Sequence, residues 1–420
     1  MRRAAPTPGP PVAGRRSVLI VSDVVPGHRA AGEVRLARIA ALLAEESPVN
    51  LVALDRDGND PDVARIQALA ASGVEVIDVP GPTALRAALV ARSYDLVILE
   101  FWHVAERALD LVRARQPQAA VAVDTVDLHF LREERWAAVG PDAPAGVQER
   151  KQRELAVYAA VDARIFTSEA ELDRYAAATG IVEGNLIVSI IADPLPRSPR
   201  SRPPYVVFVG SFWHAPNPDG VCWFVERVWP AVRSARPDAV FAIAGSRIGP
   251  EIQRLAEVEG IEVLGFVEDL EALYDRACVA VAPLRFGAGV KGKVAEALAA
   301  GLPMVATSIA TEGLDLLDGV DLLMADDAEL FAAKLIRLLD DPEAAALLGA
   351  NGQATIATRC GPGPARTALR SLAQGAEQAG AWSRLRWWGR TLPDRAWLFV
   401  RPSLAAATRG TRRRFASSAP

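Results

Sequence analysis

The stretch RFGAGVKGKVAEALAAGLP, Arg285 to Pro303, sets Gly287, Gly289 and Gly292, together with Lys291 and Lys293, just ahead of Glu296. Glycine lets a backbone turn sharply and approach a ligand closely, and the first amides of a helix are unpaired donors. With the mobile charge of Lys291 and Lys293 added, the segment reads as an anion site suited to a diphosphate. Glu296 follows Lys293 by three positions on the same helical face, where a carboxylate can accept hydrogen bonds from two adjacent ribose hydroxyls. Gly301 and Pro303 then end the helix. The same letters also describe a solvated Lys–Glu pair on a surface helix. A further reading is the dinucleotide fingerprint, since GAGVKG fits G-x-G-x-x-G and Glu312 lies downstream. That fingerprint should follow its strand at once and usually opens its domain, whereas Pro283 to Phe286 intervene here and several strand-like runs come first.

Two other segments carry polar groups in positions fit for chemistry. DTVDLHFLREER gathers Asp124, Asp127 and His129 at the end of an expected strand, where α/β proteins build their sites. SDVVPGHRAAGEVR follows the opening strand and carries Gly27 and Gly32, which reads by itself as a βα turn. Asp55 and Asp57 in LDRDGNDPD spell D-x-D, a pattern used elsewhere to hold a divalent ion. Both aspartates fall in a polar loop after the second strand, and the expectation is that no metal is held there.

The elements that must position these residues are legible as short Val, Ile and Leu runs alternating with longer alanine-rich stretches of helical period, the pattern of βαβ units. SVLIVS, VNLVAL, VEVIDV, DLVILEF, AAVAVDT, ARIFTS and NLIVSII form a first series, and YVVFVG, AVFAIAG, IEVLGF, CVAVAP, LPMVATS and DLLMA a second. ADPLPRSPRSRPP between them, rich in proline and arginine, is the best linker in the chain. The expected fold class is α/β, with two doubly wound Rossmann-like domains facing a central cleft at the carboxyl ends of their strands. The divisions are a leader over 1–16, a first domain over 17–195, a linker over 196–204, a second domain over 205–380 and a tail over 381–420.

Composition bounds the function classes. With 420 residues, 50% hydrophobic and 23% charged, the chain can bury large cores, and 47 Lys and Arg against 51 Asp and Glu leave no strong field for nucleic acid. Cys222, Cys278 and Cys360 are too scattered for a disulfide framework or a zinc cluster and read as reduced thiols of a cytosolic protein. The leader MRRAAPTPGPPVAGRR lacks the apolar core of a secretory signal, and no run of transmembrane length is free of charge, Gly or Pro. Beyond Gly380, Trp382, Trp387, Trp388 and Trp397 alternate with arginines, a composition suited to an anionic membrane interface or to a tail packed on the protein.

From Ser17 to about Gly380 the chain resembles bacterial glycosyltransferases of the GT-B fold, of the group 1 or family 4 kind. The resemblance is carried by VFVGSFWHAPNPDGVCWFVERVWP, FAIAG, VLGFVEDLEALYDRACVAVAPLRFGAGVKGKVAEALAAGLPMVATSIATEGL, DTVDLHFLREER and FTSEAELD. It implies a nucleotide-sugar donor on the second domain, an acceptor on the first, and transfer with retention at the anomeric carbon. It implies no protein nucleophile, because in such enzymes the departing phosphate takes the acceptor proton. Glu296 matches the family's second motif glutamate, which holds the ribose; eight positions earlier, where the first should stand, this chain has Ala288. VGSFWHAPNPDG lacks the usual Arg and Lys and offers Ser211, Trp213 and His214. Gly210, Ser211 and Phe266 are then donor-side residues, and the phosphate charge falls to Lys291 and Lys293, with Arg285 and Arg247 as further candidates. Gly27 and Gly32 match the loop that faces the donor across the cleft, with Asp124 beside them on the acceptor side. The chain reads TVDLH where many relatives read TVHDL, so either His129 or Asp127 takes the place of a cleft histidine near the donor sugar.

The function expected from this resemblance is a metal-independent hexosyltransferase using a UDP- or GDP-linked donor and a glycan or lipid-linked acceptor in cell-surface polysaccharide assembly. It would be cytoplasmic, peripheral on the membrane, and free of any cofactor beyond its donor substrate. The alternatives are a sugar-nucleotide epimerase of the same fold, a non-catalytic nucleotide-sugar binder, and an NAD-dependent oxidoreductase.

Overall fold

The computed structural model describes residues 16–27, 30–55, 63–77, 81–139, 145–195 and 204–375. The expected leader before Arg16, Asp57, most of the linker and the tryptophan-rich tail lie outside the described residues.

The first series of apolar runs forms β1 (Val18–Ser22), β2 (Val49–Ala53), β3 (Val74–Val76), β4 (Leu96–Glu100), β5 (Ala120–Asp124), β6 (Ala163–Phe166) and β7 (Asn185–Ile187). They make one parallel sheet in the order β3-β2-β1-β4-β5-β6-β7. The second series forms β8 (Tyr205–Val209), β9 (Val240–Ala244), β10 (Ile261–Gly265), β11 (Val279–Ala282), β12 (Met304–Ala306) and β13 (Leu323–Met324). Their order is β10-β9-β8-β11-β12-β13, again all parallel. VLIVS, LVILE and AVAVD are buried at every position, which explains why they read as continuous apolar runs: helices cover both faces of a parallel sheet.

Two apolar clusters cover the faces of the first sheet, and one cluster built around Phe224, Trp229, Phe241 and Phe331 fills the second domain. The expected division at 380 does not follow these cores. Ala365, Leu369 and Leu372, on the helical segment 362–375, belong to the core of the first domain, beside Leu36 and Ile39. The chain therefore crosses back after the helix Pro342–Cys360, and the amide of Ala192 donates to the Cys360 carbonyl at 2.7 Å where the two crossings meet. Arg366 and Arg370 pair with Glu45 and Glu46 on the surface, contacts that solvent screens to little stability. None of the three cysteines is in a disulfide. Among the described residues no helix is long and apolar enough to cross a membrane.

Strand order reverses between β1 and β4 in the first sheet and between β8 and β11 in the second. Crevices open at the carboxyl ends of the strands at such switch points. The two crevices face each other, and the site lies between them.

Candidate functional site

A cleft of about 740 Å3 is lined from the first domain by Asp23 after β1, Glu100 at the end of β4 and Asp127 after β5. From the second domain come Gly210 and Ser211 after β8, Ser246 after β9, and Leu284 with the loop Phe286–Lys291 after β11.

The loop after β11 is held from both sides. Arg135 of the first domain donates to the Gly287 carbonyl at 2.7 Å and to both oxygens of Glu312 at 2.6 Å. Trp136 stacks on Phe286 with ring centroids 5.6 Å apart. Gly289 has a φ of 69°, and a Cβ there would stand 2.8 Å from the Cβ of Asp127, so both the backbone turn and the interdomain contact require glycine. Ala288, where the family motif has an acid, packs with the apolar core of the first domain.

The helix Gly292–Ala299 begins at Lys291, and no side chain caps its N-terminus. The Lys291 ammonium donates to the Gly289 carbonyl at 2.7 Å and lies 3.7 Å from Glu312. That of Lys293 donates to Asn217 Oδ1 at 2.7 Å and sits 5.5 Å from the ring centroid of Phe208. Asn217 in turn donates to the Ser211 carbonyl at 2.7 Å, so the turn after β8 and the helix after β11 are one hydrogen-bonded unit. Burial lowers both lysines to about 8, and Lys291 pushes Lys293 further in the same direction. Two ammonium groups repelling one another in a desolvated floor are what an anion would relieve. Glu296 shares this floor; burial raises its carboxyl, and Lys293 pulls it back. Tyr274 presents a buried hydroxyl with no partner beside it, raised well above its usual range first by burial and then by Glu296. Gly245 completes the floor, since a Cβ there would lie 1.7 Å from the Gly210 carbonyl oxygen.

Opposite stand Asp127 and His129. His129 Nε2 lies 3.2 Å from Asp127 Oδ1, and Arg132 holds the other carboxylate oxygen. Trp102 Nε1 donates to His129 Nδ1 at 3.0 Å. An indole only donates, so the neutral imidazole carries its proton on Nε2, toward Asp127. Burial pushes His129 below its ordinary value. Burial opposes ionisation of Asp127, yet Arg132 and His129 together hold its carboxyl well below the usual range. The turn carrying this pair is strapped by two buried carboxyl groups: Glu154 accepts from the His129 and Phe130 amides at 2.9 Å, and Glu171 from the Leu128 amide at 2.9 Å. Burial raises them to about 8 and about 6. Val126 and Phe101, at the two flanking βα turns, have φ of 59° and 64°, costly for a β-branched and an aromatic residue. His214 crosses from the second domain and is brought down to about 3 by burial, then by Arg132.

Of the residues expected from sequence, Gly210, Ser211, Phe266, Gly287, Gly289, Lys291, Lys293 and Glu296 line the second-domain side of the cleft, and Gly32, Asp127 and His129 the first. Four do not. Asp124 is fully buried with both oxygens on Arg35, at 2.8 and 2.6 Å, and serves the core of the first domain. Arg285 turns away onto Asp219, its Nε 2.8 Å from the carboxylate. Gly27 donates its amide to Glu33 at 3.0 Å outside the cleft lining. Arg247 follows Ser246 with a φ of 56° and is also outside the lining. Sequence reasoning missed Glu100, Phe101 and His103, Arg132 and Asn217, and the strapping acids Glu154 and Glu171. LEFWH held the signal for the first three: polar and aromatic residues directly after an apolar strand. Asp55 is taken up by Arg107, at 2.7 Å, and among the described residues no cluster of three or more His, Cys, Asp or Glu side chains has the arrangement of a metal site.

Residues 203–341 match the family model for Glycosyl transferases group 1. An uncharacterized 44.6 kDa protein in the cps region of Klebsiella pneumoniae is 32% identical over 139 residues, 31% of this chain and 36% of that protein, so the chain matches only about a third of the relative's length. Among solved structures, Anabaena Alr3699/HepE in complex with UDP-glucose superposes with a TM-score of 0.61 at 16% identity, covering 87% of this chain and 100% of that one. Sucrose-phosphate synthase from Thermosynechococcus elongatus gives 0.64 at 18% identity, covering 89% and 99%. WaaG, a glycosyltransferase involved in lipopolysaccharide biosynthesis, gives 0.59 at 14% identity, covering 85% and 98%. At these identities the structural likeness is one of fold, and the fold is GT-B.

Proposed function

We propose that this protein is a retaining, metal-independent glycosyltransferase, a reading supported by the match of residues 203–341 to the model for group 1 glycosyl transferases and by the GT-B fold of the described chain. It moves a hexose from a UDP- or GDP-linked donor to a glycan or lipid-linked acceptor. One observation carries the reading: Lys291, buried, and Lys293, half-buried, stand at the uncapped start of a helix that also bears Glu296. Breaking a glycosyl phosphate bond builds negative charge on the leaving diphosphate, and preorganised cations and amides aimed at it stabilise that charge. Glu296 holds the ribose, and the leaving phosphate accepts the acceptor's proton. Asp127, 3.2 Å from the His129 ring and fixed by Arg132, faces the same space from the first domain and positions the sugar. The UDP and UDP-glucose complexes of HepE support uridine as the base, and the cps-region relative supports a role in surface polysaccharide assembly.

A thermal-shift panel with UDP, GDP, ADP, dTDP and their sugars tests the donor class, and NMR of the product tests retention. Stabilisation by NAD alone, or an epimerised nucleotide sugar formed without acceptor, would overturn the proposal. EDTA is expected to leave turnover unchanged, since the charge on the leaving group is met by lysines and helix amides. Activity lost to EDTA and restored by magnesium or manganese would contradict this.

The same proposal places the protein on the cytoplasmic face of a membrane, attached through the tail beyond Gly380 by its arginines and tryptophans. Vesicle flotation should show binding to anionic vesicles that falls with added salt, and truncation at about Gly380 should abolish it while sparing nucleotide affinity. Equal flotation of the truncated and full-length chains would remove the tail from this role.

A further inference from the structure

Glu100 is a cleft carboxyl that the donor chemistry leaves without a task. It ends β4, directly opposite Asp124 on β5, and is 5% exposed. No group among the described residues hydrogen-bonds its side chain, although it lines the cleft. The Arg35 guanidinium, whose charge acts on Glu100, is committed elsewhere: it donates to Asp124 and, through Nε and the second nitrogen, to the Val188 carbonyl at 3.1 and 2.7 Å. Burial first, and then Asp124, Glu33 and Asp23, push the Glu100 carboxyl well above its usual range. A carboxyl that lines a cleft and has no partner in the chain keeps its hydrogen-bonding capacity for what enters the cleft. The residue after it points the same way. Phe101 adopts a φ of 64° and stacks on His103 at 5.2 Å, both rings lining the cleft beside Glu100. A flat ring pair next to a hydrogen-bonding carboxyl offers one surface to the C–H face of a sugar and one to its hydroxyls.

Charge divides the cleft. The donor floor holds Lys291 and Lys293, whereas the end around Glu100 is walled by Asp23 and Glu33. Among the described residues, the arginines near this end are paired: Arg107 with Asp23 and Asp55, and Arg35 with Asp124. His103 lies 3.8 Å from Asp23, whose carboxyl it holds below the ordinary value.

We propose that Glu100 is an acceptor-recognition residue: beside the Phe101–His103 ring pair, its carboxyl group holds a hydroxyl of an uncharged sugar unit, and the acidic wall around it rejects an anionic one. The proposal rests on the glycosyl-transfer reading and adds the chemical class of the acceptor. In its protonated form the group both donates and accepts, as a sugar hydroxyl does. A site built to pair a hydroxyl discriminates strongly against a ligand that leaves it unpaired.

The test uses the full chain with saturating UDP, and methyl glucoside and methyl glucuronide as probes, followed by saturation-transfer NMR titration. Wild type should prefer the glucoside. E100Q, which also donates and accepts, should bind it comparably, and E100A about tenfold more weakly. Melting temperature separates recognition from folding: removing an unpartnered buried acid should leave E100A at least as stable as wild type, so weaker binding there cannot be ascribed to unfolding. Equal glucoside binding by E100A and wild type, equal binding of glucuronide and glucoside by wild type, or no glucoside binding at all would overturn the proposal. UDP affinity, measured on the same samples, reports separately on the donor site. If it is intact while the sugar probes fail, the role of Glu100 alone falls; if UDP does not bind, the transfer reading and this proposal fall together.

Discussion

Lys293→Ala is expected to lower turnover by about 100- to 1,000-fold, the cost of removing one preorganised charge partner of a developing anion. Binding of the intact nucleotide sugar should weaken far less, because the leaving diphosphate gains its charge as the bond breaks. The ammonium is fixed for this task by Asn217 at 2.7 Å and by the Phe208 ring beneath it. Its pH dependence follows from burial. Both lysines titrate near 8, so kcat/KM should fall as pH rises through that value, while kcat, measured with a dianion bound between them, should hold to higher pH. Stability should move in the opposite sense. The folded-state values lie below the ordinary 10.5, so between about 8 and 10.5 the unfolded chain binds more protons and the penalty these lysines impose on folding fades as pH rises. Wild-type turnover in Lys293→Ala, or a kcat/KM profile flat from pH 7 to 10, would place phosphate stabilisation elsewhere.

That half of the site was open to sequence reasoning because it is local: a loop, two lysines, a helix start and a glutamate within twelve positions, Arg285 to Glu296. The strands were equally legible, since a parallel sheet covered on both faces writes its strands as unbroken runs such as VLIVS. The first-domain half was not, because sheet order builds it. Glu100 and Asp127 come to line one cleft only once β4 and β5 pair, and Arg135 meets Glu312 across 177 positions of chain. Asp124 shows the limit most clearly. An acid at a strand end looks the same in sequence whether it faces a cleft or a buried arginine, and Arg35, which decides the matter, sits 89 positions away on a helix. Beyond it, the positive φ of Val126 redirects the chain, and Asp127 is the acid that reaches the cleft. The return of 362–375 to the first domain was hidden for a similar reason: an apolar helical stripe does not say which core it covers.

Glu296→Ala should weaken UDP binding by about 1.5–3 kcal/mol for each charged hydrogen bond lost, hence by two orders of magnitude or more in Kd if both ribose hydroxyls are held. The fold should survive, because the change removes a half-buried carboxyl that burial already disfavours. Glu296→Gln keeps one accepting oxygen and should fall between. A thermodynamic cycle with 2′-deoxy-UDP isolates the contact from the surrounding charge, because Lys293 lies close enough to pull the Glu296 carboxyl down and its own electrostatics change with the mutation. Calorimetry should show the deoxy ligand losing affinity for wild type and losing little more for Glu296→Ala, where the carboxylate that read the 2′-hydroxyl is gone. If UDP affinity is unchanged in Glu296→Ala, or if the deoxy penalty is the same in both proteins, Glu296 does not hold the ribose. The unpartnered Tyr274 hydroxyl, buried in the same floor, would be the next group to test.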